Sequence, residues 1–115
     1  RGKKHWPRRK SLQKLKETLR GKTRRTSGES LPSIVKDVNR TLRGWFEYFR
    51  HSSYRNVFQD MDGWLRMRLR SLLRKRRGGR GRGRGLDHHR WPNRFFTAAG
   101  VVSLAAAATA DSQPS

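Results

Sequence analysis

The chain has 115 residues, with 29 Lys and Arg against 8 Asp and Glu, a formal net charge of +21 and no cysteine. That size holds one domain or the tail of a larger protein, and the missing cysteine excludes a disulfide framework and a thiolate metal site while being compatible with a reducing cytosolic setting. Solubility alone is better served by acids, so the excess charge, which opposes compaction until something neutralises it, argues for a polyanionic partner.

Position 1 is not Met, so the chain reads as a fragment or a processed product. Residues 1–10 are basic, and Trp6-Pro7 disfavours an early helix. Ser11 is placed to cap a short amphipathic helix over 12–20, carried by Leu12, Leu15 and Leu19 and ended by Gly21. Residues 22–29 are polar and contain Gly28, which predicts a loop. Ser30 caps a second helix, with Pro32 in the first turn, where a missing N–H costs nothing. Its apolar residues, Leu31, Ile34, Val35, Val38, Leu42, Trp45, Phe46 and Phe49, step by three and four to about His51. Asn39 and Gly44 are its weak points, and a bend is expected near Asn39. A third helix carries Val57, Phe58, Met61, Trp64, Leu65, Leu69, Leu72 and Leu73 and stops by Gly78-Gly79. Asp60 and Asp62 are placed in its first turns, where negative charge suits the macrodipole, and Asp62 pairs with Arg66 at i, i+4. Residues 78–85 alternate Arg and Gly and predict a flexible segment. A short helix is expected from Trp91-Pro92 through Phe95 and Phe96 to Gly100, and Ser103 caps a last alanine-rich turn, with 105–115 a disordered tail. No strand is predicted, so the fold class is all-α: two long amphipathic helices with short flanking helices. The apolar stretch 101–110 is far too short to span a bilayer, and no membrane partner is expected.

The basic residues are ordered. From 66 to 84 they are Arg66, Arg68, Arg70, Arg74, Lys75, Arg76, Arg77, Arg80, Arg82 and Arg84, with no acid between them. Arg66, Arg70 and Arg74 fall at i, i+4, i+8, one helical face away from the leucines. A single-sign ridge of this kind suits the phosphates of a nucleic-acid backbone, whereas an ordinary solvated face mixes signs. The Arg-Gly run reads equally as a plain linker or as a tail that folds onto RNA, since arginine stacks on bases as well as pairing with phosphate. Trp45, Phe46 and Phe49 lie on the stripe and read as core rather than as base-stacking residues, as does Trp64; Tyr48 lies off the stripe and faces outward. Gly44 marks a close approach, by another helix in preference to an RNA backbone.

Signals for catalysis are poor. No Tyr-X-Asp-Asp is present to hold magnesium for a polymerase. His88-His89 lacks ligands at zinc spacing, Ser33-Ile34-Val35-Lys36 lacks the partner motifs of a serine nucleophile, and there is no phosphate-binding Gly loop. No catalytic residue, metal site or cofactor is assigned.

Four segments resemble, in order and spacing, the maturase-specific domain of group II intron reverse transcriptases. They are Leu42-Arg43-Gly44-Trp45-Phe46-Glu47-Tyr48-Phe49-Arg50, Asp62-Gly63-Trp64-Leu65-Arg66-Met67-Arg68-Leu69-Arg70, Asp87-His88-His89-Arg90-Trp91-Pro92-Asn93 with Phe96, and Gly100-Val101-Val102-Ser103-Leu104. The resemblance implies a small helical domain that binds intron RNA and stabilises its splicing-competent fold, within a larger RNA-directed DNA polymerase whose active site these residues lack. It divides the chain into a basic lead-in at 1–29 (the end of the thumb connection), the maturase-specific domain at 30–104, and the tail at 105–115. It implies RNA as partner, a DNA target within the ribonucleoprotein, and a bacterial cytoplasmic or organellar setting. The expected RNA-binding residues are Arg43, Tyr48, Arg50, Arg66, Arg70, Arg74, Lys75, Arg77, Arg80 and Arg82. Two departures stand out: Arg40 where relatives often carry proline, and an alanine-rich end where they usually carry charge. The competing classes are a general basic nucleic-acid-binding protein of ribosomal or nucleoid type and an inactive remnant of an intron-encoded protein.

Overall fold

A computed structural model describes residues 9–49, 55–78 and 85–112. Among them are six helices and no strand: α1 (Arg9–Lys22), α2 (Leu31–Phe49), α3 (Arg55–Arg76), α4 (Gly85–Arg90), α5 (Asn93–Ala98) and α6 (Leu104–Ser112). The all-α fold built on two long helices is as the periodicity predicts.

α1 is longer than the leucine pattern suggested, and Ser11 lies inside it instead of capping it. Its end is closed by Thr23, which is fully buried and donates both its N–H (3.0 Å) and its hydroxyl (2.7 Å) to the Leu19 carbonyl. α2 starts as expected: the Ser30 hydroxyl accepts from the Ser33 N–H at 3.3 Å. It runs as one helix through Asn39. α3 ends on Gly78, whose φ of +91° only glycine adopts without strain.

α3 is the central element, at 1.5 Å per residue roughly 33 Å long. Phe58, Met61, Leu65, Leu69 and Leu72 join Leu15 and Leu19 of α1, Ile34, Val38 and Leu42 of α2, then Trp91, Phe96 and Leu104, in one core. Trp45 and Phe46 meet Phe58 edge-on, at centroid distances of 5.9 and 5.8 Å. At the turn from Leu69 to Leu72 all four residues, Arg70 and Ser71 included, are buried. A helix covered on every side there has no solvent face to offer.

That cover comes from the C-terminal third, where the structure departs most from the sequence reading. Residues 85–90 form α4, which the pattern did not suggest. Residues 104–112, expected as a capping turn followed by a disordered tail, form α6 against α3. Gly100 at φ +92° closes α5: its N–H donates to the Thr97 carbonyl (3.0 Å), and Val101 N–H to the Phe96 carbonyl (3.0 Å). Two polar side chains then lock the connection. The Asn39 amide donates to the Gly100 carbonyl at 2.7 Å, and its oxygen accepts from Val102 N–H at 2.9 Å. Asp62 accepts from the Leu104 and Ala105 N–H groups at 2.8 and 3.0 Å and from the Ser103 hydroxyl at 2.9 Å. α3 begins at Arg55, so Asp60 and Asp62 lie beyond its first turn, and the ion pairs among the described residues do not include one from Asp62 to Arg66. The Asp62 carboxylate serves the dipole of a different helix, capping α6 from across the core.

Candidate nucleic-acid interface

The expected ridge of Arg66, Arg70 and Arg74 does not form an open face. Arg70 is 3% exposed. Its Nε donates to the Trp91 carbonyl at 2.8 Å, its Nη2 donates to Asn93 Oδ1 at 2.9 Å, and its guanidinium lies 5.1 Å from the centre of the Phe96 ring. Burial, then the neighbouring Arg66 charge, holds the Arg70 guanidinium below the usual arginine value, with Asp87 opposing. Arg74 donates to the buried Asp87 carboxylate at 3.0 Å, which Arg90 flanks at 3.6 Å. Arg66 is half-buried, with its guanidinium beside Gly63. These arginines do share one side of α3, as their spacing predicts. What the spacing could not show is that residues 85–96 pack onto the same face. The one sequence signal for this was the aspartate of Asp87-His88-His89, a lone acid beyond a run of arginines.

The open basic face lies on α2. Lys36, Arg40, Arg43, Gly44 and Glu47 are all exposed, and positions 36, 40, 43, 44 and 47 fall on one side of a helix. Gly44 is not a helix-packing contact: a Cβ built there meets nothing within 4 Å. Trp45 and Phe46 turn inward onto Phe58, so within the Leu42–Phe49 motif Leu42, Trp45 and Phe46 pack against the core while Arg43-Gly44 faces out. An open cleft of about 450 Å³ adjoins this face, lined among others by Lys22, Glu29, Lys36, Asp37 and Arg40. Lys22 and Asp37 pair across it at 3.0 Å.

A second basic region sits where α3 ends. Lys75, Arg76 and Arg77 are exposed. Arg76 donates to the Ser27 carbonyl at 3.2 Å and to the Glu29 carbonyl, tying the loop before α2 to the end of α3. Arg50, Arg80 and Arg82 lie outside the described residues, as does the side chain of Tyr48.

Trp64 is half-buried at the α1–α3 seam, packed against the core as the stripe predicts but, like Trp45, not sealed within it. Lys16 Nζ and the Arg20 guanidinium each lie 5.4 Å from its ring centre, and Arg68 lies at 6.0 Å. Arg68 is held in place by α1: Nε donates to Thr23 Oγ1 at 3.2 Å, and Nη2 donates to the Arg20 and Thr23 carbonyls at 3.2 and 3.3 Å. Burial, then Arg20 and Arg25, holds its guanidinium below the usual arginine value. Among the described residues no three His, Asp or Glu side chains gather to hold a metal ion, and no helix is long and apolar enough to cross a membrane.

The family model of the group II intron maturase-specific domain matches residues 12–91. The chain belongs to that family. The match begins inside α1, within the stretch assigned to the lead-in, and ends at Trp91, before α5 and α6. A comparison with curated proteins finds no match. The matched unit is the maturase-specific domain and not a polymerase active site.

Proposed function

We propose that this maturase domain binds folded group II intron RNA and holds it in its splicing-competent form, as part of a larger RNA-directed DNA polymerase. The RNA performs the transesterification, and the protein contributes binding. A protein that binds the folded RNA more tightly than misfolded forms shifts the population toward the folded one by that difference in affinity. The observation that carries the reading is the outward face of α2: Lys36, Arg40 and Arg43 stand in line beside a glycine with open space above it. Such a face accepts a phosphate backbone at close range, because no side chain holds it off the helix. Lys75 and Arg77 at the end of α3 extend the cationic surface, and Arg50, Arg80 and Arg82 belong to the same proposed set. Arg70 and Arg74 support the surface by fixing residues 85–96.

The test is a salt titration of binding to a structured group II intron RNA and to scrambled RNA of equal length. Tighter binding to the intron RNA at every salt concentration is expected. Lys36→Gln/Arg40→Gln/Arg43→Gln should flatten the slope of log affinity against log salt by about 2–3, at roughly 0.7–0.9 per phosphate contact. Equal affinity for both RNAs would make this a general basic binder.

A further inference from the structure

Three cations converge on one indole at the α1–α3 seam, and among the described residues no carboxylate pairs with them. Lys16 and Arg20 are one helical turn apart on α1 and both reach Trp64 on α3. Arg68 approaches the same ring from α3 itself. Exposed Arg25 lies close enough to weaken the hold of Arg68 on its proton. Among the described residues, ion pairs to acids occur at Lys22, Arg74 and Arg90 and at none of these four. Like charges gathered in this way repel, and an anion seated among them converts the repulsion into attraction.

We propose that the Trp64 seam is a seat for a backbone phosphate of bound RNA, separate from the α2 face; this rests on the RNA-binding reading. Trp64 acts as a positioning residue. Its ring draws Lys16 and Arg20 inward from the rotamers they would otherwise sample in solvent. Arg68 needs no such help, because three acceptors at the end of α1 already fix it. The seat therefore combines one immobile cation with two aimed ones. A stacked nucleobase fits this arrangement poorly, since the cations lie over the ring it would need. Contact through phosphate alone supplies affinity that is independent of base sequence.

Two measurements on the whole 115-residue chain test this. The first follows the indole N–H resonances of the tryptophans by NMR, with Trp64 assigned through Trp64→Phe, during titration with a mixed-sequence RNA oligonucleotide and separately with tripolyphosphate. The Trp64 resonance should move in both titrations. The second compares the salt dependence of RNA binding in wild type and in Lys16→Gln/Arg20→Gln. The variant should keep the wild-type melting temperature and lose about 1.4–1.8 from the log–log slope, the equivalent of two phosphate contacts. RNA binding with a still Trp64 resonance, or with an unchanged slope in the variant, overturns the seat and leaves the RNA reading standing. If the wild type binds no RNA, the RNA reading fails and the seat with it. A Trp64 resonance that moves with tripolyphosphate but not with RNA marks a general anion site and also overturns the proposal. The NMR titration needs no variant to fold beyond the one used for assignment.

Discussion

A glycine in the middle of an exposed helix costs about 1 kcal/mol relative to alanine, and a methyl group at Gly44 meets nothing within 4 Å. Gly44→Ala should therefore stabilise the free domain by about 1 kcal/mol, raising its melting temperature by about 4–8 °C. The same methyl group stands where RNA is proposed to press against α2, so affinity for intron RNA should fall while stability rises. A variant that gains stability and keeps full affinity would remove Gly44 from the interface. Arg70 and Arg66 make the converse pair. Arg70→Gln loses the bond to the Trp91 carbonyl and the contact with Phe96, leaving buried acceptors unmet. It should cost about 2–4 kcal/mol. Arg66→Gln, with a half-buried side chain, should stay within about 0.5 kcal/mol. Thermal melts of the two proteins check this directly. Trp64→Ala should be milder than Phe58→Ala, which removes a fully buried ring and should cost about 3–5 kcal/mol.

Among the elements, α6 depends on a residue far from it in sequence. Asp62 holds two N–H groups of its first turn and the Ser103 hydroxyl, and a carboxylate capping a helix in this way typically contributes about 1–2 kcal/mol. Asp62→Ala should melt α6 before the rest of the fold, visible as fast amide hydrogen exchange at residues 106–110 with protection retained in α3. The sequence made α1, α2 and α3 legible because each buries its leucines and aromatics at helical period. The Ser103 cap of α6 was legible, and its hydroxyl accepts from the Ala106 N–H at 3.1 Å, but the length of α6 was not, because a run of alanines carries no stripe and its second capping group, Asp62, comes from elsewhere in the chain. Nor did the sequence reveal the fate of Arg70, because periodicity reports which face is apolar and not whether a polar face is later covered. Of the site, Arg43 and the basic end of α3 were named from the sequence, and both are exposed. The α2 ridge was not, because its cations are spread among apolar residues and do not form a run. The Trp64 seat also escaped notice, since its members come from two helices.

For the molecule as a whole, a formal charge of +21 on a domain with one modest core sets stability against self-repulsion. Raising sodium chloride from about 0.02 to 0.5 M shortens the screening length from roughly 20 Å to roughly 4 Å. The melting temperature should climb over that range, and more so with a polyanion that binds the native state. A melting temperature independent of salt would mean the charges are too far apart to matter. The two clasps that join α2 and α3 to the segment after Gly100 carry a further consequence, for autonomy. Asn39 and Asp62 belong to the stretch that the family model matches, yet their partners lie beyond Trp91, where the match ends. Cutting the chain there would strand a buried carboxylate and a buried amide and bare the apolar side of α3 that α6 covers. Residues 12–91 alone should keep their helices but lose fixed packing, binding a hydrophobic dye and showing weak near-ultraviolet dichroism. The part of the chain that the family model matches is thus smaller than the part that should be needed to fold.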